Sequence, residues 1–354
     1  MTSPLDLDLP APELTAAICD IPSVSDDETA LADAVESALR DRAHLRVDRD
    51  GDTVVARTEL GRPERVILAG HLDTVPVAGN LPTRRDEHIL WGRGTVDMKG
   101  GVAVALRLAA QLSAPSRDVT FIFYDHEEVE AAANGLGRVT RVHPEWLEAD
   151  FAVLMEPSGG QVEGGCNGTL RVSVSTQGTA AHSARAWMGH NAIHDMADVL
   201  HRLVQYEPRQ VEVDGLVYRE GLNAVGISGG IAGNVIPDHC EVVVNHRFAP
   251  RHSVDDAYAH VCEVFTGYDV QLQDFAPGAR PGLDHPAAQA FLAAVKAEPR
   301  PKYGWTDVSR FAVLGIPAVN YGPGDASLAH ADDERVDVRE IDGCEAHLRV
   351  WLSG

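Results

Sequence analysis

Apolar positions in the first half of the chain fall into continuous runs separated by helical stripes. Val66-Ile-Leu-Ala69 and Val119-Thr-Phe-Ile-Phe-Tyr124 are unbroken apolar or β-branched runs, the pattern of strands buried on both faces. Phe151-Ala-Val-Leu-Met155 and Ile316-Pro-Ala-Val-Asn-Tyr321 repeat it. Between the early runs, residues 13–19, 28–39 and 101–112 carry apolar side chains at helical spacing. Strands alternating with helices predict an α/β sheet domain over 1–165. The pattern then changes. Leu170-Arg-Val-Ser-Val-Ser-Thr176 alternates as a half-exposed strand does. A helix is predicted at 192–203, strands at 222–231 and 240–248, a helix near 254–265 and a strand at 268–272. That βαββαβ order predicts a small split α+β unit over 166–276. From 277 to 354 the α/β character returns, with helices at 287–297 and 340–351.

Chemistry-bearing side chains cluster just beyond these runs. His71 and Asp73 follow the first, and if extended geometry continues they point to the same side. A single His-x-Asp carries little weight. However, Asp97 lies in the glycine-rich turn Gly92-Arg-Gly-Thr-Val-Asp-Met-Lys-Gly-Gly101, and Glu127 and Glu128 follow the 119–124 run. Glu156 follows the 151–155 run, and His330 follows the last. The carboxyl ends of strands are where open α/β sheets place their ligands. Imidazoles and carboxylates without a cysteine at ligand spacing suit borderline divalent ions: zinc, with cobalt or manganese as substitutes. Three carboxylates and a hydroxide would roughly neutralise the four or so positive charges of two such ions. Asp73 and Glu127 are then left outside the ligand set. Asp73 can accept the second ring N–H of His71, and Glu127 can handle a proton.

Taken together, Gly70-His-Leu-Asp-Thr-Val-Pro76, the 92–101 turn, Asp125-His-Glu-Glu128, Met155-Glu-Pro157 and His330 resemble the co-catalytic zinc amidohydrolases, in family order over nearly the whole chain. That family includes acetylornithine deacetylases, desuccinylases, aminoacylases and glutamate-type carboxypeptidases. The resemblance implies a zinc-hydrolase catalytic domain of α/β class, its mixed sheet flanked by helices, interrupted by an α+β lid and dimerisation domain. It implies two zinc ions: His71 and Glu156 on one, Glu128 and His330 on the other, Asp97 bridging. Glu127 would be the general base and Asp73 the residue orienting His71. His126 departs from many relatives, without putting a ligand in doubt. His182, in Thr179-Ala-Ala-His-Ser-Ala-Arg185, reads alone as a hydrogen-bonded loop histidine. The resemblance instead makes it a group from the neighbouring subunit that holds the oxygen of the tetrahedral intermediate, and so implies a homodimer.

Arg185, Asn234, Arg247 and Thr306 are the candidate substrate-binding residues, each equally open to a structural role; Arg247 could pair with Asp238 or Glu241. With the likeness of 155–160 and 182–187 to actinobacterial-type desuccinylases, they favour hydrolysis of N-succinyl-LL-2,6-diaminopimelate to diaminopimelate and succinate, in lysine and cell-wall precursor synthesis. Acetylornithine deacetylation or another N-acyl-amino-acid or dipeptide hydrolysis is the alternative. Gly92-Arg-Gly94 does not complete a dinucleotide fingerprint, and no nucleophile-elbow serine is present. The run Asp332-Asp-Glu334 reads as a solvated face, with positioning of the His330 loop as a second reading.

Net charge of −23 argues against nucleic acid or an anionic membrane surface as partner and leaves a small-molecule substrate. Five scattered cysteines, without a CxxC pair, read as free thiols in a reducing compartment. The N-terminal stretch has neither a basic region nor an apolar core, so the expectation is a cytoplasmic protein.

Overall fold

The computed structural model describes residues 5–354, so the first four residues of the N-terminal stretch lie outside it. The chain divides into two compact units: residues 1–164, 281–300 and 310–354 in the first, and 165–280 with 301–309 in the second.

The first unit is built on an eight-stranded mixed sheet. Its centre is four parallel strands in the order Asp118–Tyr124, Arg65–His71, Phe151–Leu154, Ala318–Asn320. Antiparallel strands extend both sides, among them Thr53–Arg57 and Glu163–Gly164. The 118–124 strand is buried at every position, as expected of a strand with helices over both faces. Register aligns His71 with Tyr124 and Ala69 with Leu154, so these strands end nearly level. The helix Lys99–Gln111 packs on the 65–71 strand and on the helices Ala11–Cys19 and Val338–Ser353. Gly101 lets the same helix come close to the segment that follows the 151–154 strand, because a Cβ there would sit 2.3 Å from the Met155 carbonyl oxygen. Phe151, Phe291 and Trp351 share a ring cluster, with Phe291 and Trp351 centroids 4.9 Å apart, which ties the C-terminal segment into the core begun by the first.

In the second unit, four antiparallel strands run in the order Gly221–Gly229, His239–Phe248, Gly168–Gln177, Asp269–Ala276. The helices Ala192–Gln205 and Val254–Val264 pack against this sheet through Met196, Val199, Ala257 and Val261, over Leu170, Val172, Val242 and Val244. The predicted βαββαβ order stands. The hairpin Gln210–Val213 with Leu216–Arg219 is an addition to that order, although Val211 and Val213 before Asp214-Gly215 and Leu216-Val-Tyr218 after it carry the pattern of one. Residues 301–309 group with this unit because Asn167 donates to the Lys302 and Tyr303 carbonyls, from its amide and its side chain in turn, while Trp305 and Ser309 donate to the Pro277 carbonyl.

All five cysteines are free; Cys19, Cys166, Cys240 and Cys344 are buried and Cys262 half-buried. Among the described residues, no helix is long and apolar enough to cross a membrane.

Candidate metal centre

Loops leaving the carboxyl ends of the parallel strands bring His71, Asp97, Glu128 and His330 into one cluster. Ligand atoms of His71, Asp97 and Glu128 lie within 4.8 Å of one another. Asp97 is the pivot: Oδ1 is 3.2 Å from His71 Nε2, and Oδ2 is 3.3 Å from His330 Nε2. His330 Nε2 is also 3.0 Å from Glu128 Oε1. One carboxylate thus faces two imidazoles with separate oxygens, and the second imidazole faces a second carboxylate. This donor set fits divalent ions held by nitrogen and oxygen, with Asp97 able to share an oxygen with each of two. Glu156 is buried and stands two residues beyond the end of the 151–154 strand; continuing the parallel register places it level with His71.

Electrostatics of the cluster favour positive charge. Asp97 and Glu128 raise His330 to about 10. Burial opposes protonation of His71, yet Asp73 and Asp97 outweigh it and carry its pKa well above the usual value. Burial likewise opposes charge on Asp97, but His330 and His71 hold it below the usual carboxylate range. The carboxylates stabilise a cation between them, and a metal ion answers that demand as protons do.

Asp73 does more than orient His71. The ring Nδ1 lies 2.9 Å from the Asp73 carbonyl oxygen and 3.4 Å from its carboxylate. The carboxylate accepts the Glu127 and Glu128 amides, each at 3.0 Å, and the Ser25 hydroxyl at 2.8 Å. Burial would raise it, but the imidazole and the two amides hold it at about 2. The same loop is anchored a third time, where the His126 amide donates to the buried Glu28 at 3.2 Å. Burial lifts Glu28 to about 7. The His126 ring pairs with Asp125 at 2.8 Å and Asp26 at 3.0 Å and so supports the loop from behind.

Asp332 and Asp333 are exposed, as the solvated-face reading of 332–334 expects, but Glu334 departs from it. It is 1% exposed, accepts the Arg93 guanidinium at 2.8 Å, and also accepts the amides of Val96 at 2.9 Å and Asp97 at 3.2 Å. Arg93 was missed as well. An arginine between two glycines in a turn bounded by apolar residues was the available sign of a buried cation needing an acid. Ser25 and Glu28 carried no signal, because the polar turn 25–28 reads as ordinary helix-start chemistry.

The second unit holds the remaining candidates in three places. His182 pairs with Val235 in a two-residue strand contact, and the Ser183 amide donates to the Asn234 carbonyl, so the 182 and 234 segments meet. His182, Arg185 and Asn234 are all exposed. Arg247 is half-buried on the 239–248 strand, where Nε donates to Asn245 Oδ1 at 3.1 Å; neither Asp238 nor Glu241 pairs with it. Thr306 is buried, and its carbonyl accepts the Cys166 thiol at 3.7 Å.

Comparison with known proteins agrees with this architecture. Residues 67–353 match the model of peptidase family M20/M25/M40. The chain is 46% identical to the succinyl-diaminopimelate desuccinylase of Corynebacterium glutamicum, over 96% of this chain and 95% of that protein. It is 58% identical to a Mycobacterium tuberculosis (strain H37Rv) protein provisionally named as a succinyl-diaminopimelate desuccinylase, over 97% and 98%. Among solved structures, the aminopeptidase PepT of Bacillus cereus superposes with a TM-score of 0.78 at 18% identity, covering 99% of this chain and 98% of that one. The metallo-carboxypeptidase Sso-CP2 of Sulfolobus solfataricus superposes at 0.77 and 16%, covering 98% and 99%. A family match from the 65–71 strand to the last helix, over a fold and cluster of this kind, means that the chain belongs to peptidase family M20/M25/M40.

Proposed function

We propose that the protein is a zinc-dependent amidohydrolase that cleaves N-succinyl-LL-2,6-diaminopimelate into LL-2,6-diaminopimelate and succinate in the cytoplasm. The observation that carries the chemistry is Asp97, whose two oxygens face two imidazoles from opposite ends of the chain. The substrate is supported by near-full-length identity to relatives named for desuccinylation.

His71, Asp97, Glu128, Glu156 and His330 would hold two zinc ions, with cobalt a workable substitute. Bound there, the ions supply a Lewis acid for the amide carbonyl and lower the pKa of water. Glu127 takes a proton from the attacking water as its oxygen bonds to the carbonyl carbon, then returns that proton to the amine nitrogen as the C–N bond breaks. Fixing its amide on Asp73 keeps Glu127 in place between these two transfers. His182, supplied by a second copy of the chain, donates a hydrogen bond to the oxyanion. Arg185, Asn234, Arg247 and Thr306 recognise the substrate's carboxylates, for which a guanidinium fork is well suited.

Support for a homodimer comes from the open edge of the second unit's sheet. The Gly221–Gly229 strand pairs on one side only and exposes Val225 and Ile227 at 59% and 58%. Long apolar edge strands invite pairing with another chain.

Turnover of the zinc-loaded protein on N-succinyl-LL-diaminopimelate and N-acetylornithine, side by side, tests the reading. Strong preference for the succinyl compound is expected. Preference for the acetyl compound would retain the metal chemistry and overturn the substrate.

A further inference from the structure

We propose that Arg93 and Glu334 are positioning residues that form a reciprocal clamp setting the separation between Asp97 and His330. The proposal rests on the metal reading above and deepens it.

The two segments involved are remote in sequence and carry one ligand each. Glu334 stands four residues after His330, and its Oε1 accepts the Asp97 and Val96 amides. Arg93 stands four residues before Asp97, and its Nη1 donates to the carbonyl of Ala331, next to His330, at 3.2 Å. Each segment therefore grips the backbone beside the other segment's ligand. Glu334 Oε2 and Arg93 Nη1, 2.8 Å apart, join the two grips at their heads. A third link runs the same way, from the Gly92 amide to the Glu334 carbonyl at 3.0 Å. Gly94, at φ +83°, allows the turn between Arg93 and Asp97 to curl back on itself.

Stability alone does not account for such a pair. A buried ion pair often stabilises a fold no better than apolar residues of similar volume. Hydrogen bonds aimed at particular amides and carbonyls do supply direction, and Asp97 needs it because its oxygens must face His71 and His330 at once. His330 needs it too. Its side chain is about half exposed and stands on a loop at φ +64°, where packing alone holds it loosely. Partners that orient metal ligands without touching the metal commonly affect affinity by about 10–100-fold.

The test is zinc titration of metal-free protein by calorimetry, with cobalt absorption as an independent readout of ligand geometry. Glu334→Gln and Arg93→Lys are expected to weaken the zinc equivalent shared with His330 by about 10–100-fold, weaken the other less and alter the cobalt spectrum. The double variant Arg93→Met with Glu334→Leu removes both buried charges, so it should fold with near-normal thermal stability yet keep the weakened site. Wild-type zinc affinity in the double variant would overturn the clamp, because charge compensation and not positioning would then be what the pair provides. Unchanged affinity in both single variants would also overturn it. His330→Ala in the same titration separates the two readings. If it retains both zinc equivalents, the ligand assignment itself fails; if it loses one while Glu334→Gln binds both as tightly as wild type, only the clamp fails.

Discussion

At the carboxyl ends of the parallel strands, side chains are held from several distant parts of the chain. Asp73 receives Ser25 and the 127–128 amides, Asp97 is fixed by Glu334, and His126 is backed by Asp125 and Asp26. At the turn that follows His182 in the second unit, the only polar partner of that ring among the described residues is the Ala184 amide, two residues on, and Arg185 stands exposed. Both regions carry candidate functional groups of similar chemistry. The first is preorganised by buried charge networks, where low dielectric strengthens each contact. The second presents its groups to solvent, where water screens each contact and little fixes their orientation. Changes in the first region should therefore move metal affinity and stability together with activity, and changes in the second should move activity alone.

The largest expected effect comes from Glu127→Ala, which should lower kcat by about 10³-fold or more while zinc content stays at the wild-type level. Metal analysis beside a turnover assay checks it; loss of zinc would make Glu127 a ligand instead of a base. His330→Ala should show the opposite signature, with metal lost from one site and activity partly recovered at high zinc.

On the other side of the comparison, His182→Ala is expected to cut kcat by about 10²-fold, in keeping with loss of one oxyanion donor. Its thermal midpoint and zinc affinity should match wild type, since exposed substitutions usually change stability by less than about 0.5 kcal/mol. A shifted zinc affinity would erase the contrast between the regions.

The smallest expected effect sharpens what a buried carboxylate does when no metal is concerned. Asp118 is buried, accepts the Leu60 and Arg62 amides and the Thr58 hydroxyl, each at 2.8 Å, and is thereby held below its usual pKa although burial pushes the other way. A folded-state pKa lowered in this way stabilises the protein above the unfolded value of about 4, and that stabilisation is lost as pH falls through the folded value. Asp118→Asn should cost about 1–2 kcal/mol near pH 7, and the gap should narrow below about pH 4 in urea unfolding. A gap independent of pH would sink this account.

Much of the fold was legible because buried parallel strands and amphipathic helices have different periods. The runs at 66–69, 119–124 and 151–155 became central strands, since short continuous apolar runs rich in β-branched and aromatic residues suit a sheet covered on both faces. Candidate ligands were legible for a related reason: acids and imidazoles just past such runs are conspicuous. Supporting residues were not. Glu334 sat in a run of acids that looks solvated, and nothing local says that only the third turns inward onto Arg93. For Arg247 the sequence leaves a substrate role and pairing with Asp238 or Glu241 both open; its bond to Asn245, two residues back, forms only because the two lie on one side of the same extended strand.

Composition, hydrophobic period and motif order are local or additive properties. They determined the fold class, the α+β insertion and the residue types able to hold metal. The tertiary structure alone decided that Asp97 faces two imidazoles, that Asp73 holds the 126–128 loop as well as His71, and that Arg93 and Glu334 grip each other's segments. Each of these joins groups tens to hundreds of residues apart, and a hydrogen bond's direction exists only once both partners have been placed by the packing around them.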